Sequence, residues 1–463
     1  MSSAGTSIKA KTIFEPVALG DTSSRLSGAI YVLLCLIPVF STIVFGGVDQ
    51  GSWVVLIAAL AAVVFLWLAD AWYGRAMLFN RSMLLVPLVV LIALGVVQTL
   101  PLFSSALPPG LLAEPQRAAI SLDPYSTRLF VIRLIGYLVF FAAALTFINN
   151  DKRLRRTIGL IIVFGAVMAF FGILQRLANP DAIYGIRGTP QAIPFGSFVN
   201  QHHFASLMVM VSGVTLAFLF GSDVRRERRL LLAVAAILLG MAAVMTSSRG
   251  GLISLVGTIV FVLFATYSAR GSRGEHRDVS SVSQSKTGLA AAGTAFLVLV
   301  LGMVMFLGEN NALIRSIGLS GAEDITSGRT HFWKIAFRIF LDHPIAGAGL
   351  DAFGVAFTRY DTWPGVFRVE QAHNDYLQTL ADAGLIGFAC ICGFIFLLFR
   401  KGLASIANAH DDYRRTAAIG ALAGCFGILI HSFFDFPLRT PANAFFFLTL
   451  AAIAVSRVRR RHA

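Results

Sequence analysis

Five separated stretches of this chain carry the side chains best suited to chemistry. TSSRGG at 246–251 joins two apolar stretches with almost no loop, so Arg249 is held at a membrane surface. A cation there needs an anionic partner. A guanidinium grips phosphate oxygens through two parallel hydrogen bonds, which makes Arg249 a candidate phosphate ligand. The competing use is snorkelling to ordinary headgroups. In 327–354, Arg329 precedes Trp333 by four residues, which puts both on one helix face, while His331, Lys334 and Arg338 share another. Such a helix offers one cation to a ligand and turns the others to water, or else it is simply a solvated basic helix. In QAHNDYLQTLADAGLIG at 371–387, His373 stands just before a helix opened by Asn374, a good N-cap. It lies near the positive end of the helix dipole, where a neutral imidazole can accept a proton; capping is the other reading. His431 and Asp435 are one helical turn apart, close enough for an ion pair or hydrogen bond in a supporting role. The fifth stretch, 185–208, brings Arg187, Asn200, His202 and His203 to the start of an apolar run.

The elements that must position these residues are membrane spans. Of 463 residues, 56% are hydrophobic and 13% charged, with a mean hydropathy of +0.75. Soluble proteins carry about 25% charged residues, so a water-soluble enzyme, a disordered chain and a coiled coil are excluded. Twelve apolar blocks approach the length that crosses a bilayer: 28–46, 52–69, 83–100, 129–148, 157–174, 202–220, 230–246, 252–267, 288–307, 384–400, 416–434 and 441–456. The blocks at 52–69 and 252–267 are at the short end. The expectation is an all-α polytopic membrane protein of about 12 transmembrane helices, flanked by a polar tail at 1–27 and a basic tail at 457–463. The first apolar block is followed by no small-residue cleavage site and reads as a retained span. Cys35, Cys390, Cys392 and Cys425 lie inside apolar blocks, where neither zinc nor a disulfide framework is expected.

Orientation follows from Lys and Arg. With the N-terminus in the cytoplasm, about 25 of the 38 fall on inside segments. About 12 fall outside, six of them in the long segment 308–383, which the charge rule does not count. Both termini are therefore expected in the cytoplasm, and 308–383, with helical patches at 328–343 and 374–383, is expected outside between spans nine and ten. Six of the nine histidines lie on that outer face: His202, His203, His331, His343, His373 and His431. The net charge of +14 reads as span-flanking residues rather than a nucleic-acid surface, because no basic stretch is interleaved with aromatics.

Together these segments resemble the O-antigen ligase and O-antigen polymerase superfamily, bacterial membrane glycosyltransferases that move undecaprenyl-diphosphate-linked glycans. The resemblance covers roughly 160–450. It rests on Arg329 and Trp333, then HPIAGAGLDAF, then HNDYL with Gly384 eleven residues after His373, then GLIG. TSSRGG resembles the family's short Ser-Arg-Gly element. GSFVNQHHFA resembles its Gly-x-Phe-x-Asn-x-Asn-His-Phe-Ala element, with His203 fitting and His202 where Asn is more usual.

The resemblance implies a GT-C-like fold with a periplasmic helical loop over a cavity, and a metal-independent mechanism that uses no cofactor. It implies that Arg249 and Arg329 bind the donor diphosphate, with Arg187 a weaker candidate for the same anion, and that His373 is catalytic. His203, Asn200, Trp333, Asn374, His431 and Asp435 would support them. The implied partners are an undecaprenyl-diphosphate-linked glycan donor, a lipid A core or lipid-linked glycan acceptor, the bilayer of the bacterial inner membrane, and other polysaccharide-assembly proteins. The activity would serve lipopolysaccharide or exopolysaccharide biosynthesis, as ligase or polymerase. Two rival classes are a secondary transporter and a non-catalytic component of a polysaccharide assembly complex. Transporters place ionisable residues or broken helices at mid-membrane, whereas Arg133 is the one clear intramembrane charge in the sequence.

Overall fold

A computed structural model of the chain describes residues 24–102, 119–271 (except 149, 180, 190–191 and 222–225), 293, 294, 298 and 329–456 (except 364–367). Most of the block at 288–307, most of the tail at 1–27, the tail at 457–463 and the segment 308–328 lie outside the described residues. The other eleven apolar blocks all fall on helices: α1 (Arg25–Ile43), α2 (Gln50–Gly74), α3 (Leu85–Thr99), α4 (Pro124–Phe147), α5 (Asp151–Ala178), α6 (Gln201–Phe220), α7 (Arg226–Met245), α8 (Arg249–Gly271), α11 (Asp375–Ala407), α12 (Asp412–His431) and α13 (Pro441–Val455). Two shorter helices, α9 (Arg329–Asp342) and α10 (Phe353–Thr358), precede α11. Among the described residues, eight helices are long and apolar enough to cross a membrane, and α3 and α13 are apolar but shorter. The two blocks read as short lengthen in the structure to the 25 residues of α2 and the 23 of α8. The chain is a multi-pass, all-α membrane protein. Strand is confined, among the described residues, to a two-residue hairpin pairing 182–183 with 187–188.

Helix α6 is apolar on every side and is buried along most of its length, which makes it the hub of the bundle. Its tightest neighbour is α12. A Cβ on Gly213 would sit 2.6 Å from the backbone nitrogen of Gly424, and one on Gly424 would sit 2.6 Å from the Met210 carbonyl. In a membrane, where apolar burial gives no net drive between helices, such close backbone approach is what packing energy comes from.

The sequence predicts a helix running from Asn374 straight into span ten. The structure instead breaks α11 at Gly384, whose φ of 60° and ψ of −157° suit glycine almost alone. The turn at 343–349 fills the break and satisfies the freed backbone groups. Leu385 N–H donates to Pro344 O at 2.8 Å, and Ile386 N–H donates to Ile345 O at 3.3 Å. Ala348 N–H donates to Ala381 O at 2.8 Å, and Gly349 N–H donates to Asp382 O at 3.0 Å. Gly347 sits against the 382–383 backbone with no room for a Cβ. This accounts for the HPIAGAG sequence, since the break in the helix would otherwise leave buried N–H and C=O groups unpaired. Beside it, Ile335, Ile339, Phe353, Phe357, Ala372 and Ala381 form a second small core that joins α9 and α10 to the first part of α11.

Candidate active site

At one end of the bundle the five chemically promising stretches meet around the 431–436 turn, and three of them reach one carboxylate on it. Asp435 lies in the turn between α12 and the short 3-10 helix Pro437–Arg439, and its side chain is 1% exposed. His373 Nδ1 is 3.2 Å from its Oδ1, Arg329 approaches its Oδ2 at 3.6 Å, and His203 Nε2 stands 3.8 Å from Oδ1. Burial alone would raise the Asp435 pKa, but the imidazoles of His203 and His373 outweigh it and hold the carboxyl well below the usual range. The carboxylate therefore keeps its charge as the counter-ion at the centre of the site.

Local structure explains each placement. Asn374 caps α11, its Oδ1 accepting from the N–H groups of Tyr376 and Leu377 at 3.0 Å, while its Nδ2 donates to Phe433 O at 3.1 Å. That pins the start of α11 to the 431–436 turn. His373, just ahead of the cap, has a φ of +50°, a left-handed conformation uncommon for a non-glycine residue. The Phe436 ring stands edge-on to both His373 (4.9 Å) and His203 (4.7 Å) and fixes the spacing between them. Asn200 caps α6 by accepting from His202 N–H at 2.8 Å, so His203 enters the site in the first turn of that helix. Thr440 Oγ1 and His203 Nδ1 are 2.7 Å apart, leaving Nε2 toward Asp435.

TSSRGG forms a tight turn with Ser247 also left-handed (φ 54°), and Ser248 Oγ accepts from Gly251 N–H at 3.1 Å to start α8. Arg249 is the first residue of that helix. Its neighbour Gly250 packs so closely on His431 and Phe434 that an added Cβ would fall 2.8 Å from each. Arg249 therefore joins the bundle beside the same 431–435 turn.

Two of the candidate residues have other partners than the sequence suggested. His431 and Asp435 do not pair through their side chains. The buried His431 ring instead lies between Ser206 Oγ (2.7 Å from Nδ1) and Ser248 Oγ (3.3 Å from Nε2), so both ring nitrogens are taken by hydroxyls, while Asp435 meets His431 only through its backbone N–H, which donates to His431 O at 3.1 Å. His431 thus ties α6 to the TSSRGG turn. Arg187, expected at the anionic site, is engaged elsewhere. Its two terminal nitrogens meet the Asp49 carboxylate at 2.5 and 2.9 Å, and its guanidinium lies 4.4 Å from the Phe45 ring.

On α9, Lys334 and Arg338 are exposed while Arg329 turns inward, as its helical spacing implies. His331, however, faces neither water nor Asp435. It hydrogen-bonds Asp361 at 2.8 Å. His203 Nε2, Asp435 Oδ2 and Trp333 Nε1 are among the buried polar atoms with no hydrogen-bond partner in the described residues, though Asp435 Oδ2 faces Arg329 at 3.6 Å. The described residues include no group of three His, Cys, Asp or Glu side chains spaced to hold a metal ion.

Several contributors were missed from sequence. Ser206, Thr440 and Phe436 act through tertiary contact and leave no motif, and Ser248, the serine of the Ser-Arg-Gly element, gives no local sign that it meets His431. A second charge cluster was also missed. Arg439 bridges Asp351 and Asp382 at 2.6 Å each, and Arg133 lies 3.8 Å from Asp351. Arg133 is therefore not an isolated intramembrane charge. The one available signal was that Asp351, Asp382 and Arg439 are charges within otherwise apolar or Gly-rich runs.

A family model described as O-antigen ligase matches residues 233–392. The matched segment holds Arg249, Arg329, Trp333 and His373, and ends before Asp435. No curated protein matches the chain.

Proposed function

Through the O-antigen ligase domain at 233–392 the chain belongs to the O-antigen ligase/polymerase superfamily, and from that premise we propose that it transfers a glycan from undecaprenyl diphosphate to a sugar hydroxyl at the periplasmic face. One observation carries this reading: a base candidate, His373, and a cation, Arg329, meet at one buried carboxylate. Asp435 accepts the Nδ1 proton of His373 and so leaves Nε2 unprotonated, the arrangement that makes a histidine a general base. The acceptor hydroxyl gives its proton to Nε2 as its oxygen bonds to the anomeric carbon of the donor glycan. The bond from that carbon to the diphosphate oxygen breaks, and undecaprenyl diphosphate leaves with the electron pair. Arg329 and Arg249, with Trp333 Nε1 one turn along α9 as a further donor, stabilise the charge that grows on the leaving oxygen. Direct displacement inverts the anomeric centre. Arg187 is left out, because both of its terminal nitrogens are bonded to the Asp49 carboxylate, whereas Arg329 approaches Asp435 through one nitrogen at 3.6 Å.

Complementation of a deletion strain tests this. His373→Ala, Arg329→Ala and Arg249→Ala, each verified in the membrane fraction, are expected to abolish the polysaccharide. Normal polysaccharide from all three ends the assignment. In the deletion strain, full-length chains that never reach lipid A identify a ligase, and accumulation of single lipid-linked repeats identifies a polymerase. The break in α11, with Asp382 buried beside Arg439, is the one feature that favours the transporter reading. Solute uptake by reconstituted protein that survives His373→Ala would establish that alternative.

A further inference from the structure

We propose that the Trp363 indole is a stacking platform for a sugar ring of the glycan, one short oligosaccharide length from the reacting centre. The proposal rests on the glycan-transfer reading above and names how that site holds its carbohydrate.

Trp363 is 49% exposed, yet it is held on one side. The His331 ring lies parallel to it, with centroids 4.1 Å apart and an interplanar angle of 2°. His331 is fixed in turn by Asp361, whose Oδ1 accepts from both the His331 ring (2.8 Å) and the Trp363 backbone N–H (3.0 Å). Phe332 meets the indole edge-on at 5.9 Å. With one face covered by an imidazole and Phe332 at an edge, the half of the residue that is exposed is left to the remaining face and edges of the indole. A large aromatic held rigid with a free face has already lost its rotamer freedom, so a ligand stacking on it has less ordering to offset.

The chemistry of that face selects its ligand. An indole face carries negative quadrupole charge and is apolar. The ring C–H groups of a pyranose are apolar and slightly positive, and they form one flat face of the sugar. The exposed Thr362 hydroxyl and the Asp361 carboxylate lie next to Trp363 in sequence and are groups that sugar hydroxyls can bond. Position supports the same reading. Phe332 is 5.9 Å from Trp363 and 6.0 Å from His373, so at most about 12 Å separate the outer two rings. A di- or trisaccharide spans that gap. A sugar attacked beside His373 would therefore leave a ring farther along its chain over Trp363.

The test uses full-length protein in lipid nanodiscs. The donors are undecaprenyl-diphosphate glycans of one sugar and of three or more repeat units, with acceptor glycans of the same two lengths. Trp363→Ala should raise KM about tenfold for the long glycan, equivalent to about 1.4 kcal/mol. It should leave kcat and the one-sugar substrate within twofold, and Trp363→Tyr should restore most of the loss. Whichever substrate shows the shift, donor or acceptor, is the one that lies on the indole. An unchanged KM for both long glycans overturns the platform, as does a fall in kcat alone. Equilibrium binding of the delipidated oligosaccharide to His373→Ala protein gives a readout free of turnover: binding should persist there and weaken about tenfold when Trp363→Ala is added. If His373→Ala is fully active, the transfer mechanism fails, while the binding arm still decides the platform. Quenching of Trp363 emission by brominated lipid, with oligosaccharide binding unaltered in Trp363→Ala, would make the residue a bilayer anchor and overturn the proposal.

Discussion

Replacing Asp435 by Asn probes the site most directly. The amide keeps the shape of the side chain and removes its charge. In the native protein His373 Nδ1 reaches Oδ1 at 3.2 Å, longer than the 2.7–2.9 Å common for fully charge-assisted bonds. A hydrogen bond to a charged group contributes about 1.5–3 kcal/mol, which corresponds to a loss of about 10- to 150-fold. The length of the bond places the expected fall in transfer rate in the lower part of that range, about 10- to 50-fold. General-base catalysis is typically worth about 10²–10⁴-fold, so His373→Ala should cost at least as much. The decisive comparison is the double variant. If Asp435 acts through His373, adding Asp435→Asn to His373→Ala should cost less than about twofold more, because the two residues act as a unit. The assay is the initial rate of glycan transfer in proteoliposomes, normalised to folded protein. A single Asp435→Asn variant within twofold of wild type, or penalties that multiply in the double variant, would refute the coupling.

Other consequences are simpler to read. Gly384→Ala places a Cβ 2.4 Å from the Ile345 carbonyl at a backbone geometry few other residues adopt; thermal unfolding in detergent should show a loss of several kcal/mol, and the polysaccharide should disappear. Arg187→Ala breaks a half-exposed pair with Asp49 and should cost no more than about 1 kcal/mol, with polysaccharide retained in complementation; loss of activity in a stable protein would return Arg187 to the anionic site. The depressed Asp435 pKa fixes a sign. Its interactions stabilise the fold in full above the unfolded carboxyl value of about 3.9 and are lost as pH falls through the lower native value. The Tm gap between wild type and Asp435→Asn should therefore hold at pH 5 and shrink toward pH 3; a gap that widens on acidification would contradict the assignment.

The sequence by itself determined the class of protein and the local pieces of the site. Apolar blocks long enough to span a bilayer must become helices, because backbone polar groups in lipid can be satisfied only within the segment, and the helices appear where the blocks are. Asn374 as a cap, Arg329 turned inward from Lys334 and Arg338, and the helical start after TSSRGG were legible for the same reason: each is set by a few adjacent residues. Long-range facts were not legible. Neighbouring sequence holds no information on the partner of a long, flexible cation such as Arg187, which took Asp49 from 138 positions away. The spacing of His431 and Asp435 put them one turn apart, but hydroxyls from distant stretches, Ser206 and Ser248, take both ring nitrogens of His431. Only the tertiary structure decided that Asp435, rather than any motif residue, is the common neighbour of His203, Arg329 and His373. Stretches that share no local periodicity meet there because the packing of α6, α11 and α12 brings their ends together around one charge that burial would not tolerate alone, with the TSSRGG turn packed on the neighbouring His431.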